Sequence, residues 1–181
     1  MGHFGWPPGH LADFIGRGIA IYRRLGQGTV LPLVWGASIA SYPFFGKTSE
    51  TAGRLLALQG DCSIKELQRR MAEQYGDRSG IERAVARVVQ TQTSWQALTR
   101  DETAKRVIKH QAVLIDDDEL TAWLIEAAVR YAGKPVSVPS LQLLPVLFPF
   151  ALTRPLAYVV SNSANLSLRS EGMSQQLVSL A

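Results

Sequence analysis

The chain has 181 residues, 46% of them hydrophobic and 19% charged, with a net charge of +4. That balance excludes long disorder and allows one full domain, or a small domain with appendages, around a packed core. A single cysteine, Cys62, excludes an internal disulfide and a Cys-based zinc site, and residues 1–8 lack the basic start and apolar run of a signal peptide.

No internal repeat is visible. The longest apolar stretch, residues 29–45, is interrupted by Pro32, Gly36, Ser38, Ser41 and Pro43. It falls short of the about 20 apolar residues a membrane span needs, so a cytoplasmic protein is expected. Residues 1–60 carry five Lys/Arg against two Asp/Glu, residues 61–115 ten against seven, and residues 116–181 four against six. The basic excess is N-terminal and central, the distribution expected of a nucleic-acid binder, although an ordinary solvated surface gives the same counts.

Leu11, Phe14, Ile15, Ile19 and Tyr22 recur at three- and four-residue spacing and predict a helix over residues 8–25. Pro8 suits its first turn, Arg17, Arg23 and Arg24 lie toward its end, and Gly26 suits its stop. Gly26-Gln27-Gly28 reads as a turn and residues 30–40 as a buried helix. Residues 49–58 predict a third helix, capped by Thr48 or Ser49 and closed by Gly60. Residues 63–75 predict a fourth, with Ile64, Leu67 and Met71 on its apolar face and Ser63 and Glu66 at capping-box spacing. Gly76-Asp77-Arg78 breaks it. The next helix starts at Asp77 or Ser79, where Ser79 and Glu82 repeat the capping-box spacing ahead of a stripe of Ile81, Val85, Val88 and Val89. Trp95 and Leu98 then anchor the end of this unit.

Residues 105–110 and 112–115 read as two short strands, the first basic and the second apolar. Asp116-Asp117-Asp118-Glu119 places acids at the start of a helix that runs to Tyr131, with Leu120, Trp123, Leu124, Ala127 and Tyr131 inward. Gly133 ends it and Pro135 bars continuation. Residues 139–144 read as one or two helical turns, and Pro145, Pro149 and Pro155 make the following stretch irregular. Residues 158–161 and 166–169 read as a hairpin around Asn162-Ser163-Ala164-Asn165, and residues 173–180 as a last short helix.

Residues 48–115 thus run helix, helix, tight turn, basic helix and two short strands. This order, over about a third of the chain, resembles the winged helix-turn-helix DNA-binding superfamily. The resemblance implies an α+β fold, mainly α with a small β component. Its winged helix-turn-helix core, 48–115, would follow an N-terminal helical segment, 1–47, and precede a C-terminal helix plus hairpin, 116–181, packed on the core. It also implies that the third helix enters the major groove of duplex DNA while the wing touches backbone or minor groove.

The candidate recognition helix covers residues 79–92. Arg83 and Arg87 are four apart and lie opposite its apolar stripe, with Gln90, Thr91 and Ser94 extending that face. Guanidinium can bridge O6 and N7 of guanine, a carboxamide can pair with adenine, and a helix N-terminus favours phosphate. Arg78, Ser79, Arg83, Arg87 and Gln90 are therefore the expected groove residues. Lys65, Arg69, Arg70, Lys105, Arg106 and Lys109 are the expected backbone contacts. The bland alternative is that Arg83 and Arg87 are solvated and paired with Glu82 or Glu73, and Asp61, Glu66, Glu73 and Asp77 weigh against DNA.

Nothing in the sequence points to catalysis. His3, His10 and His110 have no nucleophilic partner pattern, and two histidines near a terminus are too few for a metal. Gly46-Lys47-Thr48 imitates the end of a phosphate-binding loop, but Ser41 stands where the first glycine is needed, so it reads as a helix start. Three successive acids at 116–118 point in different directions and are explained by helix capping. No enzyme, metal, cofactor or membrane is expected. The apolar run 143–150 either packs across the core or docks a second protomer or a protein partner. The leading expectation is a duplex-DNA-binding protein, regulatory or part of a DNA-handling assembly. The alternative is a non-catalytic interaction subunit that uses the winged helix as a scaffold.

Overall fold

The structure, a computed structural model, describes residues 9–76, 80–101, 103–171 and 175–181. In chain order it forms α1 (Gly9–Leu25), α2 (Val30–Ser41), α3 (Pro43–Gln59), β1 (Asp61–Ser63), α4 (Ile64–Tyr75), α5 (Ile81–Ser94), β2 (Leu98–Asp101), β3 (Arg106–Lys109) and β4 (Val113–Ile115). There follow α6 (Asp118–Ala132), β5 (Val136–Ser137), α7 (Val138–Leu141), β6 (Phe150–Leu152), α8 (Leu156–Ser161), β7 (Leu166–Glu171) and β8 (Gln175–Leu180). Short 3-10 turns occupy Gln27–Thr29 and Pro145–Leu147. The fold is α+β, mostly helical with small sheets. Among the described residues no helix is long and apolar enough to cross a membrane.

The chain divides into two compact units whose sequences interleave. The first takes Met1–Pro43, Ile115–Leu141 and Arg154–Ala181; the second takes Phe44–Leu114 and Gln142–Thr153.

The first unit is built on α6, which is buried from Leu120 to Val129 except at Ala122. It packs against α1 and α2. Trp123 is the wedge. Its ring stacks on Phe14 with centroids 4.3 Å apart, and its Nε1 donates to the Phe14 carbonyl at 2.9 Å. A Cβ on Gly18 would lie 2.9 Å from this indole, and one on Gly36 2.3 Å from it, so both helices need glycine there. The carboxylate of buried Glu126 accepts from both terminal nitrogens of Arg17, at 2.7 and 2.9 Å, and from Arg130 Nε at 2.9 Å. A buried charge is tolerated only with such partners. The acids before α6 act as the sequence predicts: Asp117 accepts from the Leu120 N–H at 2.9 Å, and Gly133 closes the helix at φ 63°. β8 lies between β5 and β7, antiparallel to both.

The second unit packs α3, α4 and α5 beside a three-stranded antiparallel sheet in the order β1-β3-β2, with Cys62, Val107 and Leu98 buried. Gln92 of α5 donates to Ser49 of α3 at 2.8 Å in a fully buried position. The 142–153 segment returns to this unit. β6 runs beside β4, and the Val113 N–H donates to the Pro149 carbonyl at 2.9 Å. A Cβ on Gly53 would lie 2.1 Å from the Pro145 carbonyl oxygen, so that backbone rests directly on α3.

Several expectations are corrected. Thr48 and Ser49 do not cap a helix; they lie inside α3, with their hydroxyls donating to the carbonyls of Phe44 and Phe45 four residues back. The Gly46-Lys47-Thr48 run is likewise helix interior. Ser63 precedes α4 but makes no side-chain cap. Its backbone belongs to β1, the Ile64 N–H donates to the Lys105 carbonyl, and Glu66 accepts from Arg70 instead of reaching back. Residues 158–161 belong to α8, because Leu156, Val159 and Val160 share one buried helical face. The C-terminal hairpin is β7–β8, so the expected final helix is a strand, paired with β7 along its length and with β5 at Leu177 and Val178. The expected strands 105–110 and 112–115 do not pair with each other. β3 lies between β1 and β2, while β4 pairs β6. Pro8, Asp77, Arg78, Ser79 and Met173 lie outside the described residues.

Candidate nucleic-acid interface

α4 and α5 pack together, and Leu67 and Met71 of α4 and Val85 and Val89 of α5 are buried. Gln68 of α4 donates to the Glu82 carbonyl at 3.2 Å and so ties α4 to the first turn of α5. Gly80 stands at the N-cap of α5 with φ 118°, a backbone state that glycine adopts without strain. The expected Ser79–Glu82 box falls partly outside the described residues.

With Val85, Val89 and Gln92 turned inward, Arg83, Arg87 and Gln90 are exposed at four- and three-residue spacing along one stripe of α5. Neither arginine forms an ion pair with any described residue. Thr91 and Ser94, expected to extend this face, turn their hydroxyls back to the carbonyls of Arg87 and Thr91 at 3.0 and 2.8 Å.

The expected backbone contacts divide in two. Lys65, Lys105 and Lys109 are exposed and have no ion-pair partner among the described residues. Arg69 pairs with Glu73, Arg70 with Glu66 at 3.0 Å, and Arg106 grips Asp61 of β1 with two nitrogens. The exposed Arg69 and Arg70 pairs contribute only about 0.2–1 kcal/mol each, so a phosphate can compete for those two arginines, whereas the Arg106–Asp61 pair is half-buried and doubly bonded.

The β2–β3 hairpin has a defined tip. The Asp101 carboxylate accepts from the N–H groups of Thr103 and Ala104, at 2.9 and 3.0 Å. Lys105 adopts φ 51°, uncommon for a residue with a Cβ, and thereby turns the chain into β3. Arg100, on β2, was not among the expected site residues. It is exposed opposite Val107. The signal for this strand was the side chain of Asp101 two residues before Thr103, an Asx-turn pattern.

No group of three His, Cys, Asp or Glu side chains able to hold a metal ion occurs among the described residues. Burial, and secondarily the Glu66 charge, pushes the Cys62 thiol up to about 12, so it is no nucleophile at neutral pH. The 143–150 run is mostly core: Val146, Leu147, Phe148 and Phe150 are buried, and Leu143 alone is strongly exposed, at 81%. It therefore offers no continuous apolar docking strip. No protein-family model, no curated protein and no solved structure matches this chain.

Proposed function

We propose that the second unit is a winged helix-turn-helix that binds duplex DNA, with α5 as the groove helix and the β2–β3 hairpin as the wing. The observation that carries this reading is the exposed stripe Arg83, Arg87 and Gln90 on a helix whose opposite face is fixed to α4. The order α3, β1, α4, α5, β2, β3 with sheet order β1-β3-β2 supports it, as do the exposed cations Lys65, Lys105 and Lys109, which have no ion-pair partner among the described residues. Arg and Gln on a groove helix would read bases, and the lysines would set register on phosphates. A regulatory protein or a subunit of a DNA-handling assembly would use such a surface.

The test is fluorescence anisotropy of a random duplex oligonucleotide at two salt concentrations. Each phosphate contact adds about −0.9 to the slope of log affinity against log salt. The double substitution Arg83→Ala/Arg87→Ala is expected to reduce affinity at least about tenfold and to make the slope shallower by up to about 2. Unchanged affinity in that variant rejects α5 as the groove helix.

The rival reading, a protein-interaction subunit built on the same scaffold, draws on the ion pairs that occupy Arg69, Arg70 and Arg106. It expects no salt-sensitive DNA binding by the intact chain, and a protein complex that survives high salt.

A further inference from the structure

The first unit contains a pocket of about 250 Å³ between α1 and α2. Ile15, Ile19 and Tyr22 of α1 face Val30, Leu33 and Ala37 of α2 across it, and Trp123 forms its floor. No charged side chain lines it. The one polar atom of the floor, Trp123 Nε1, is spent on the Phe14 carbonyl, so the indole presents carbon. The rim is left open: Ile19, Tyr22 and Val30 are 48%, 36% and 40% exposed.

We infer that this pocket binds an uncharged, carbon-rich small molecule of about ten non-hydrogen atoms. Three observations select that occupant. The lining offers no ion-pair partner, and the Tyr22 hydroxyl at the rim is its one side-chain polar group besides the indole N–H, so a charged or strongly polar ligand would be bound at a loss. The volume sets the size: a dry cavity of about 150 Å³ holds benzene, and 250 Å³ scales to a fused two-ring hydrocarbon. The extent argues against a protein. Nine residues line the pocket, whereas a standard interface uses about 20–30 on each side. The glycines at 18 and 36, which admit the Trp123 ring between the helices, create the floor on which a flat ligand rests. This site is independent of the DNA reading.

The probe is 1-fluoronaphthalene, added to the intact chain and followed by ¹⁹F NMR. Saturable binding of one probe per chain is expected. Ala37→Phe, which fills the pocket, is expected to weaken it at least tenfold, and Ile19→Glu, which puts a charge on the rim, to weaken it similarly. Leu143→Ser, which removes an exposed leucine of the second unit, is expected to leave it unchanged. Circular dichroism establishes that each variant is folded, and Ile19→Glu, at an exposed position, serves if Ala37→Phe is not. Non-saturable uptake, or equal affinity in the folded pocket variants, overturns the proposal. So does sedimentation of the wild type as a dimer that Ile19→Glu dissociates, because a second copy would then be the occupant.

Discussion

Asp117 combines two jobs in one carboxylate. It caps α6 through the Leu120 N–H and takes both terminal nitrogens of Arg24 at 2.8 Å. The Arg24 guanidinium, aided by the backbone N–H bond, holds its carboxyl below the usual carboxylate range. A group whose folded pKa is lowered stabilises the protein above its unfolded pKa, and that contribution is lost as the pH falls through the folded value. Asp117→Ala is expected to cost about 1 kcal/mol at pH 7, and Asp117→Asn less, since asparagine also caps. Urea midpoints should show the gap between wild type and Asp117→Asn closing below about pH 4, where the carboxyl of the unfolded chain takes up a proton before that of the folded chain does. The acids at 116–119 announced this helix start because capping is local chemistry. The partner, Arg24, lies 93 residues away and no local pattern encodes it. The same limit applies at Arg106: its charge suggested a phosphate contact, while its pairing with Asp61 follows from a strand register between distant residues.

At the scale of elements, glycine marks where backbones meet. Gly53→Ala would drive a methyl group into the Pro145 carbonyl, and neither backbone can yield without moving α3 or the returning segment. A loss of about 1–3 kcal/mol is expected. Gly16→Ala, on an exposed turn of α1 with nothing within 4 Å, should instead gain up to about 1 kcal/mol. Thermal melts should separate the two in opposite directions, at about 2–4 °C per kcal/mol for a chain of this size. Helices α1, α4 and α6 were legible in the sequence because their apolar spacing and glycine stops are written within a single segment, and α2 because it is one nearly continuous apolar run. β2 and β8 were not. A short strand is defined by its partners, and Leu98–Asp101 carries only one buried side chain to declare it. The tail 175–180 had the composition of a short helix, yet it pairs with β7 along its length and with β5 at Leu177 and Val178.

For the whole molecule, the informative feature is interleaving. The second unit is an insertion in the first, and it in turn borrows 142–153 from beyond α6 and α7. A fragment spanning 44–114 alone would lose β6 and the backbone that covers Gly53, and would expose the surface that Phe148 and Phe150 bury. It is expected to be more readily digested in limited proteolysis than the same fragment with 142–153 joined to it through a flexible linker. Equal resistance would show that the returning segment adds nothing to the unit. Hydrophobic periodicity reads each segment in turn and has no means of reporting that residue 145 completes a core begun at residue 44. Three consecutive blocks were accordingly the natural reading of the sequence. The exposed stripe on α5 was legible, because Arg83, Arg87 and Gln90 need only helical spacing to fall together.

The same connectivity bears on synthesis at the ribosome. The last piece of the second unit is made at residue 153, whereas the first unit waits for the final strand, which ends at Leu180. Helix α2 is nearly all apolar, and the helix that buries it, α6, ends about ninety residues later, roughly 5–20 s of elongation at typical rates. Through that interval Trp35 and Ile39 have no α6 to lie against. During synthesis the apolar α2 is thus complete well before α6 exists to cover it, an order that lengthens the exposure of this surface.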